Sequence, residues 1–222
     1  RERTFKMKAH IAGSSYVYKT SQAKAIRNSN IMDMYACYQI AIALALKKLY
    51  GFGNKRIRDA FFCIGEAMDT FHSYASLSPN KISRHGYDDI GTGQEKLFRM
   101  AKSRNIDTDY LKVTHCNTPS AQQMDKPDVC GIYYIFRLCV AIGLNDKCGF
   151  GNSRIKQVFD YTNEVFCEFD KASHASDEMK ALGYNDRDIG KKHLLKMAEE
   201  EGIDLYESAG ITFTDYRTER RL

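Results

Sequence analysis

A chain of 222 residues with 43% hydrophobic and 27% charged content can build one large core or two small ones, and wholesale disorder is not expected. No apolar run reaches the roughly 18–20 residues that span a bilayer; the longest, residues 40–46, ends at Lys47 and Lys48. The net charge of +5 comes from the first thirty residues, which carry seven Lys or Arg against the single acid Glu2, while the remainder is close to neutral.

In chain order, residues 1–30 read as a basic arm. Phe5, Met7, Ala9 and Ile11 alternate with Lys6, Lys8 and His10, the period of a half-buried strand. Gly13-Ser14-Ser15 offers a turn before Tyr16-Val17-Tyr18, which would complete a small β-hairpin. Lys6, Lys8, Lys19, Lys24 and Arg27 are the candidates for phosphate contacts in this arm.

Residues 31–111 form a first helical unit. Residues 34–49 are apolar nearly all round, which predicts a buried helix. Gly51-Phe52-Gly53-Asn54 ends it: Gly accepts the left-handed geometry of a C-terminal cap, and Asn54 can cap the next helix. That helix carries Ile57, Phe61, Ile64, Met68 and Phe71 at steps of four and three, an inward-facing stripe. A loop with Pro79 follows, then a third helix over about residues 94–104 that stops at Asn105.

Residues 112–129, with Pro119 and Pro127, read as a linker, and residues 130–207 as a second unit built like the first. Laying Gly51-Phe52-Gly53-Asn54 over Gly149-Phe150-Gly151-Asn152 sets an offset of 98 and matches Tyr35, Ala43, Leu46, Arg56, Ile57, Phe61, Glu66 and Phe71 to identical residues. With the turn, residues 34–71 hold 12 identities, against roughly two expected by chance, the mark of an internal repeat. Further on, Asp89-Ile90-Gly91 matches Asp188-Ile189-Gly190, Met100-Ala101 matches Met197-Ala198, and Ile106-Asp107 matches Ile203-Asp204, with the offset slipping by one residue. The second unit repeats the stripe with Ile155, Phe159, Thr162, Phe166 and Phe169, and its third helix falls at about residues 191–201, ended by Gly202. Residues 208–222 form a tail in which Ile211-Thr212-Phe213-Thr214 can add a strand. The expected fold is therefore mainly α: two tandem homologous three-helix units with a small N-terminal β-hairpin.

Seven cysteines form no CxxC pair and no regular framework, so reduced thiols of a cytosolic protein are expected, with a regulatory thiol as the alternative. His115-Cys116 supplies two potential ligands, too few for a zinc site. GxSxG, HExxH and P-loop patterns are all missing, so no catalytic residue, metal or cofactor is assigned. Arg56 and Arg154 are retained together with Glu66 and Glu164; ten residues apart on one helix they cannot pair within a unit, but they can pair between units, or the arginines can cap the turn or hold an anion.

The segment 49–57 resembles a helix-hairpin-helix element, which reads Gly-hydrophobic-Gly between two helices. That resemblance implies backbone N–H groups approaching a phosphate at a positive helix end. Lys55, Arg56 and Arg58 would supply counter-charge in the first unit, and Arg154 and Lys156 in the second. The alternative is a tight helical connection whose Phe plugs the core.

The run of an apolar helix, Tyr-Gly-Phe-Gly, Arg-Ile and an amphipathic helix also resembles small helical proteins of phages and prophages of Gram-positive bacteria. Gly183-Tyr184, Asp188-Ile189 and Glu200-Glu201-Gly202-Ile203-Asp204 belong to that likeness. It implies phage or mobile-element origin and the cytoplasm of the bacterial host, and carries over no catalytic residue. The expected function is non-enzymatic binding of nucleic acid or a host nucleoprotein complex. The alternatives are an anti-CRISPR-type inhibitor of a host defence protein, with Tyr16, Tyr18 and Tyr216 as anchors, or a binder of a small anion in two equivalent pockets near Arg56 and Arg154.

Overall fold

A computed structural model describes residues 22–76, 88–126, 129–175, 177, 181 and 186–209, with the side chains of residues 22–33, 75, 76, 88–92, 175 and 209 excepted. The expected hairpin, the 211–214 strand, Lys6, Lys8, Lys19, Tyr16, Tyr18 and Tyr216 lie outside the described residues. What is described is mainly α: α1 (Gln22–Tyr50), α2 (Asn54–Ser76), α3 (Asp88–Ser103), α4 (Pro119–Met124), α5 (Cys130–Cys148), α6 (Asn152–Ala175), α7 (Asp186–Glu200) and α8 (Leu205–Ala209).

Helix α1 begins well before the apolar run at residue 34, because Gln22, Ala23, Lys24, Ala25 and Arg27 are good helix formers with no Gly or Pro among them. Lys24 and Arg27 thus lie on its first turns. Residues 34–46 of α1 are buried apart from Ala36 and Gln39, and residues 133–144 of α5 are buried throughout. Both helices stop at a left-handed glycine, Gly51 with φ 64° and Gly149 with φ 62°. In each case the glycine N–H donates back to the helix, to the Lys47 and Asn145 carbonyls at 2.9 Å.

The third helices end as the sequence predicts, at Asn105 with φ 56° and Gly202 with φ 66°. Ile106 N donates to Ala101 O and Asn105 N to Lys102 O, while Ile203 N donates to Ala198 O and Gly202 N to Glu199 O, the paired bonds of a Schellman cap. Both helices start earlier than expected, at Asp88 and Asp186, which places acidic residues in first turns, where the helix dipole favours them. The segment read as a linker is also not plain coil. Thr118 accepts from Ala121 N and Pro119 takes the first helical position, so Thr-Pro starts α4 rather than breaking structure.

The two helices joined by each Gly-Phe-Gly turn barely touch each other. Instead α2 packs on α5 and α3, and α6 packs on α1 and α7; α3 also reaches α5, and α7 reaches α1. The halves are interlocked across an aromatic seam. Tyr35 lies 5.1 Å from Tyr133 and 4.9 Å from Phe136, Tyr38 lies 5.5 Å from both Phe136 and Phe166, and the Tyr35 hydroxyl donates to Ile132 O at 3.0 Å. Such ring pairs add about 0.5–1.5 kcal/mol each beyond the area they bury.

Two glycines set how closely α3 and α7 approach. A Cβ on Gly93 would stand 2.6 Å from the Phe71 ring, and one on Gly190 would stand 2.6 Å from the Phe169 ring. Gly93 and Gly190 thus play the same part against Phe71 and Phe169, in the register of Met100-Ala101 and Met197-Ala198.

Candidate functional site at the paired turns

The turns at Gly51-Phe52-Gly53-Asn54 and Gly149-Phe150-Gly151-Asn152, far apart in sequence, meet in space. Phe52 and Phe150 are both buried with ring centroids 6.0 Å apart, and Tyr50 lies 4.6 Å from Phe150. The Tyr50 hydroxyl donates to Gln157 Oε1 at 2.9 Å and to Arg154 O at 3.2 Å, tying the end of α1 to the first turn of α6. Burial raises the Tyr50 phenol above its ordinary value, with Arg154 opposing, and burial raises the Cys148 thiol, with Arg56 opposing. Each retained arginine thus acts on the residue that closes the other half's first helix.

The retained arginines stack on their own turns. The Arg56 guanidinium lies 3.9 Å from the Phe52 ring centroid and that of Arg154 4.9 Å from Phe150. Arg154 also donates to Gly149 O at 2.9 Å, capping the end of α5. Among the described residues neither arginine has a carboxylate partner, so the pairing with Glu66 or Glu164 between units is not what retains them. Neighbouring cations are mostly committed: Lys48 to Glu201, Arg58 to Glu207 at 3.8 Å, Lys147 to Asp59 at 3.5 Å and Arg104 to Asp146 at 2.6 Å. Lys156 lies over the Tyr110 ring at 5.2 Å, and Lys55 is exposed.

The asparagines do something the sequence does not predict. Asn54 Oδ1 accepts from Asp204 N at 3.2 Å, and Asn152 Oδ1 accepts from Asp107 N at 2.8 Å. Neither carbonyl oxygen caps its own helix; the Gly53 and Gly151 carbonyls accept from Ile57 N and Ile155 N there. Asn152 Nδ2 also donates to Asn105 O at 2.8 Å. Asp107 and Asp204 in turn accept from the N–H groups that follow, of Asp109 and Tyr110 in one half and Glu207 in the other. The retained asparagine of one turn and the retained Ile-Asp of the opposite half form a reciprocal clamp.

This geometry bears on one part of the helix-hairpin-helix expectation. The N–H groups of Gly51 and Phe52, and those of Gly149 and Phe150, donate to carbonyls of the preceding helix, so they do not present themselves to a phosphate. The phenylalanines plug the core. Arg56, Arg154, Lys55 and Lys156 face outward at this pole, beside the ion-paired Lys48 and Arg58.

One buried group escaped the sequence reading. Arg137 on α5 is 2% exposed and reaches Asp125 Oδ1 through both terminal nitrogens, at 3.3 and 3.2 Å. Its Nε is without a partner among the described residues. A cavity of about 10 Å³ beside it, lined by Tyr38, Tyr110, Leu111, His115 and Phe159, has the size of one water and is too small for a ligand. The signal in the sequence was a lone Arg inside the apolar run 132–144.

A larger open groove of about 460 Å³ is lined by Met34, Pro119, Phe169, Asp170, His174 and Arg187. Ser120 donates to Asp170 Oδ1 at 2.5 Å, and His174 Nδ1 lies 2.7 Å from the Asp170 main-chain oxygen. Ser120 meets the carboxylate and His174 the main chain, so these two contacts do not make a nucleophile–base pair. Among the described residues no three His, Cys, Asp or Glu side chains gather as metal ligands, and no helix is long and apolar enough to cross a membrane. Comparison with protein-family models, curated proteins and solved structures gave no match.

Proposed function

We propose that this is a non-enzymatic binding protein for a polyanionic partner, nucleic acid or a nucleoprotein complex, and that it arose by duplication of one helical unit in a phage or mobile element. The observation that carries the reading is the pair of arginines at the joined turns. Arg56 and Arg154 sit over two neighbouring phenylalanines with no carboxylate partner among the described residues, while Lys48, Arg58, Arg104 and Lys147 nearby are ion-paired. A guanidinium held over a ring keeps edge N–H groups for phosphate oxygens, although one of Arg154's is already given to Gly149 O. The basic arm, with Lys6, Lys8 and Lys19, adds charge to the same chain. The repeated clamp and turn contacts support the duplication.

Anisotropy titrations with a labelled duplex and a labelled single strand test this, at about 50 and 200 mM salt. Affinity falls steeply with salt if phosphates are neutralised, and the Arg56→Gln/Arg154→Gln protein shows a salt slope shallower by about 1–2. No binding at the lower salt, or an unchanged slope in a variant that melts normally, overturns the proposal.

A further inference from the structure

The connection from α3 to α5 lies along one face of α6. Asp160, Asn163, Cys167 and Asp170 recur on α6 at steps of three, four and three, which aligns them in a single stripe. Each meets the connection. Tyr110 donates to Asp160 through a short hydrogen bond, Cys116 Sγ lies 3.6 Å from Asn163 O and 3.3 Å from Cys167 Sγ, and Ser120 donates to Asp170. The same strap contributes Leu111, Ala121 and Met124 to the core and holds Arg137 through Asp125 and Leu111 O.

We propose that Cys116 and Cys167 form a redox latch, an intramolecular disulfide that fastens the strap to α6 at its midpoint. The sulfurs are already in contact, and a bond of about 2 Å needs only about 1 Å of further approach. Cys167 is partly exposed, while Cys116 is 8% exposed, so a reagent enters at Cys167 and Cys116 resolves. With a low-molecular-weight disulfide as oxidant, Cys167 loses its proton and attacks one sulfur, and the first thiol leaves carrying a proton. Cys116 then loses its proton and attacks Cys167 Sγ, releasing the second thiol. Two electrons pass from the cysteine pair to the reagent, and one protein disulfide replaces one reagent disulfide. Burial, and then the hydrogen bond with Cys116, pushes the Cys167 thiol up to about 11, so the entry thiol rests protonated and the latch answers sustained oxidation.

Whole protein incubated with oxidised glutathione, then alkylated, digested and mapped by mass spectrometry, gives a Cys116–Cys167 cross-linked peptide that dithiothreitol removes. Oxidation raises Tm and slows amide exchange in residues 105–125 by about tenfold or more. Cys116→Ser and Cys167→Ser each abolish both effects, and Cys63→Ser keeps them. The proposal is overturned by a cross-link between other cysteines, by no cross-link, by a Tm shift that survives Cys167→Ser, or by a correct cross-link that leaves strap exchange unchanged.

Discussion

The half of the chain up to Tyr110 and the half from Cys130 onward place contacts at the same points but fill them differently. Where Lys156 lies over the Tyr110 ring, the corresponding Arg58 pairs with Glu207. Gly143 admits Ile64 at the α5–α2 contact, and at the matching positions of the α1–α6 contact stand Ala45 and Thr162, both fully buried. Arg137 is buried and paired with the half-buried Asp125, whereas its counterpart Gln39 is half-buried and neutral. What repeats is the geometry of the turns: glycine caps, aromatic plugs and the amide clamp. What varies is side-chain size at the helix contacts, and side-chain charge, which tolerates exchange at a surface but demands a dedicated partner inside.

The largest effect expected from this contrast is at the buried charge. Asp125→Ala leaves Arg137 uncompensated and should cost about 3–5 kcal/mol in denaturant unfolding, against less than about 1 kcal/mol for Gln39→Ala. Equal costs would erase the difference drawn between the halves. Next comes the unequal packing of the two helix contacts. A Cβ at Gly143 would stand 2.6 Å from Ile64 Cγ1 and 2.7 Å from Ile64 N, so trimming the Ile64 side chain cannot relieve it. Gly143→Ala should destabilise by about 1–3 kcal/mol despite the gain in helix propensity. A thermal melt showing Gly143→Ala to be neutral would mean that α2 and α5 can separate freely.

The smallest effect separates the clamps. Asn152 accepts and donates across the seam while a single bond to Asp204 is seen for Asn54. Asn152→Ala should cost about 1–2 kcal/mol and Asn54→Ala about 1 kcal/mol or less, measured by urea unfolding. The reverse order would show that the bond between Asn54 and Asp204, the longer of the two at 3.2 Å, matters more than its count suggests.

Helix ends were legible in the sequence because they turn on local backbone chemistry. Gly51, Gly149, Asn105 and Gly202 sit where a positive φ is required, and only a few residue types accept it. The stripes were legible because burial follows a fixed period, and Ile155, Phe159, Thr162, Phe166 and Phe169 are all buried as spaced. The asparagines were not, since a side-chain amide near a helix start serves its own helix or a foreign N–H equally well, and only tertiary placement decides. Arg56 and Arg154 were visible as retained, but their stacking on Phe52 and Phe150 depends on two turns meeting. Pro119 misled for a related reason: after Thr118 it opens a helix, and the same residue elsewhere would end one.

The reciprocal clamp also dictates how such a chain emerges from a ribosome. Asn54 meets Asp204, 150 residues later, and Tyr50 waits 104 residues for Arg154. The apolar part of α1, residues 34–46, has α6 and α7 as its main neighbours, so for most of synthesis it has little to bury against. A nascent chain can therefore assemble α2, α3 and α5 while α1 stays uncovered, and a chain that stops before α6 should be a chaperone client with a bare apolar helix.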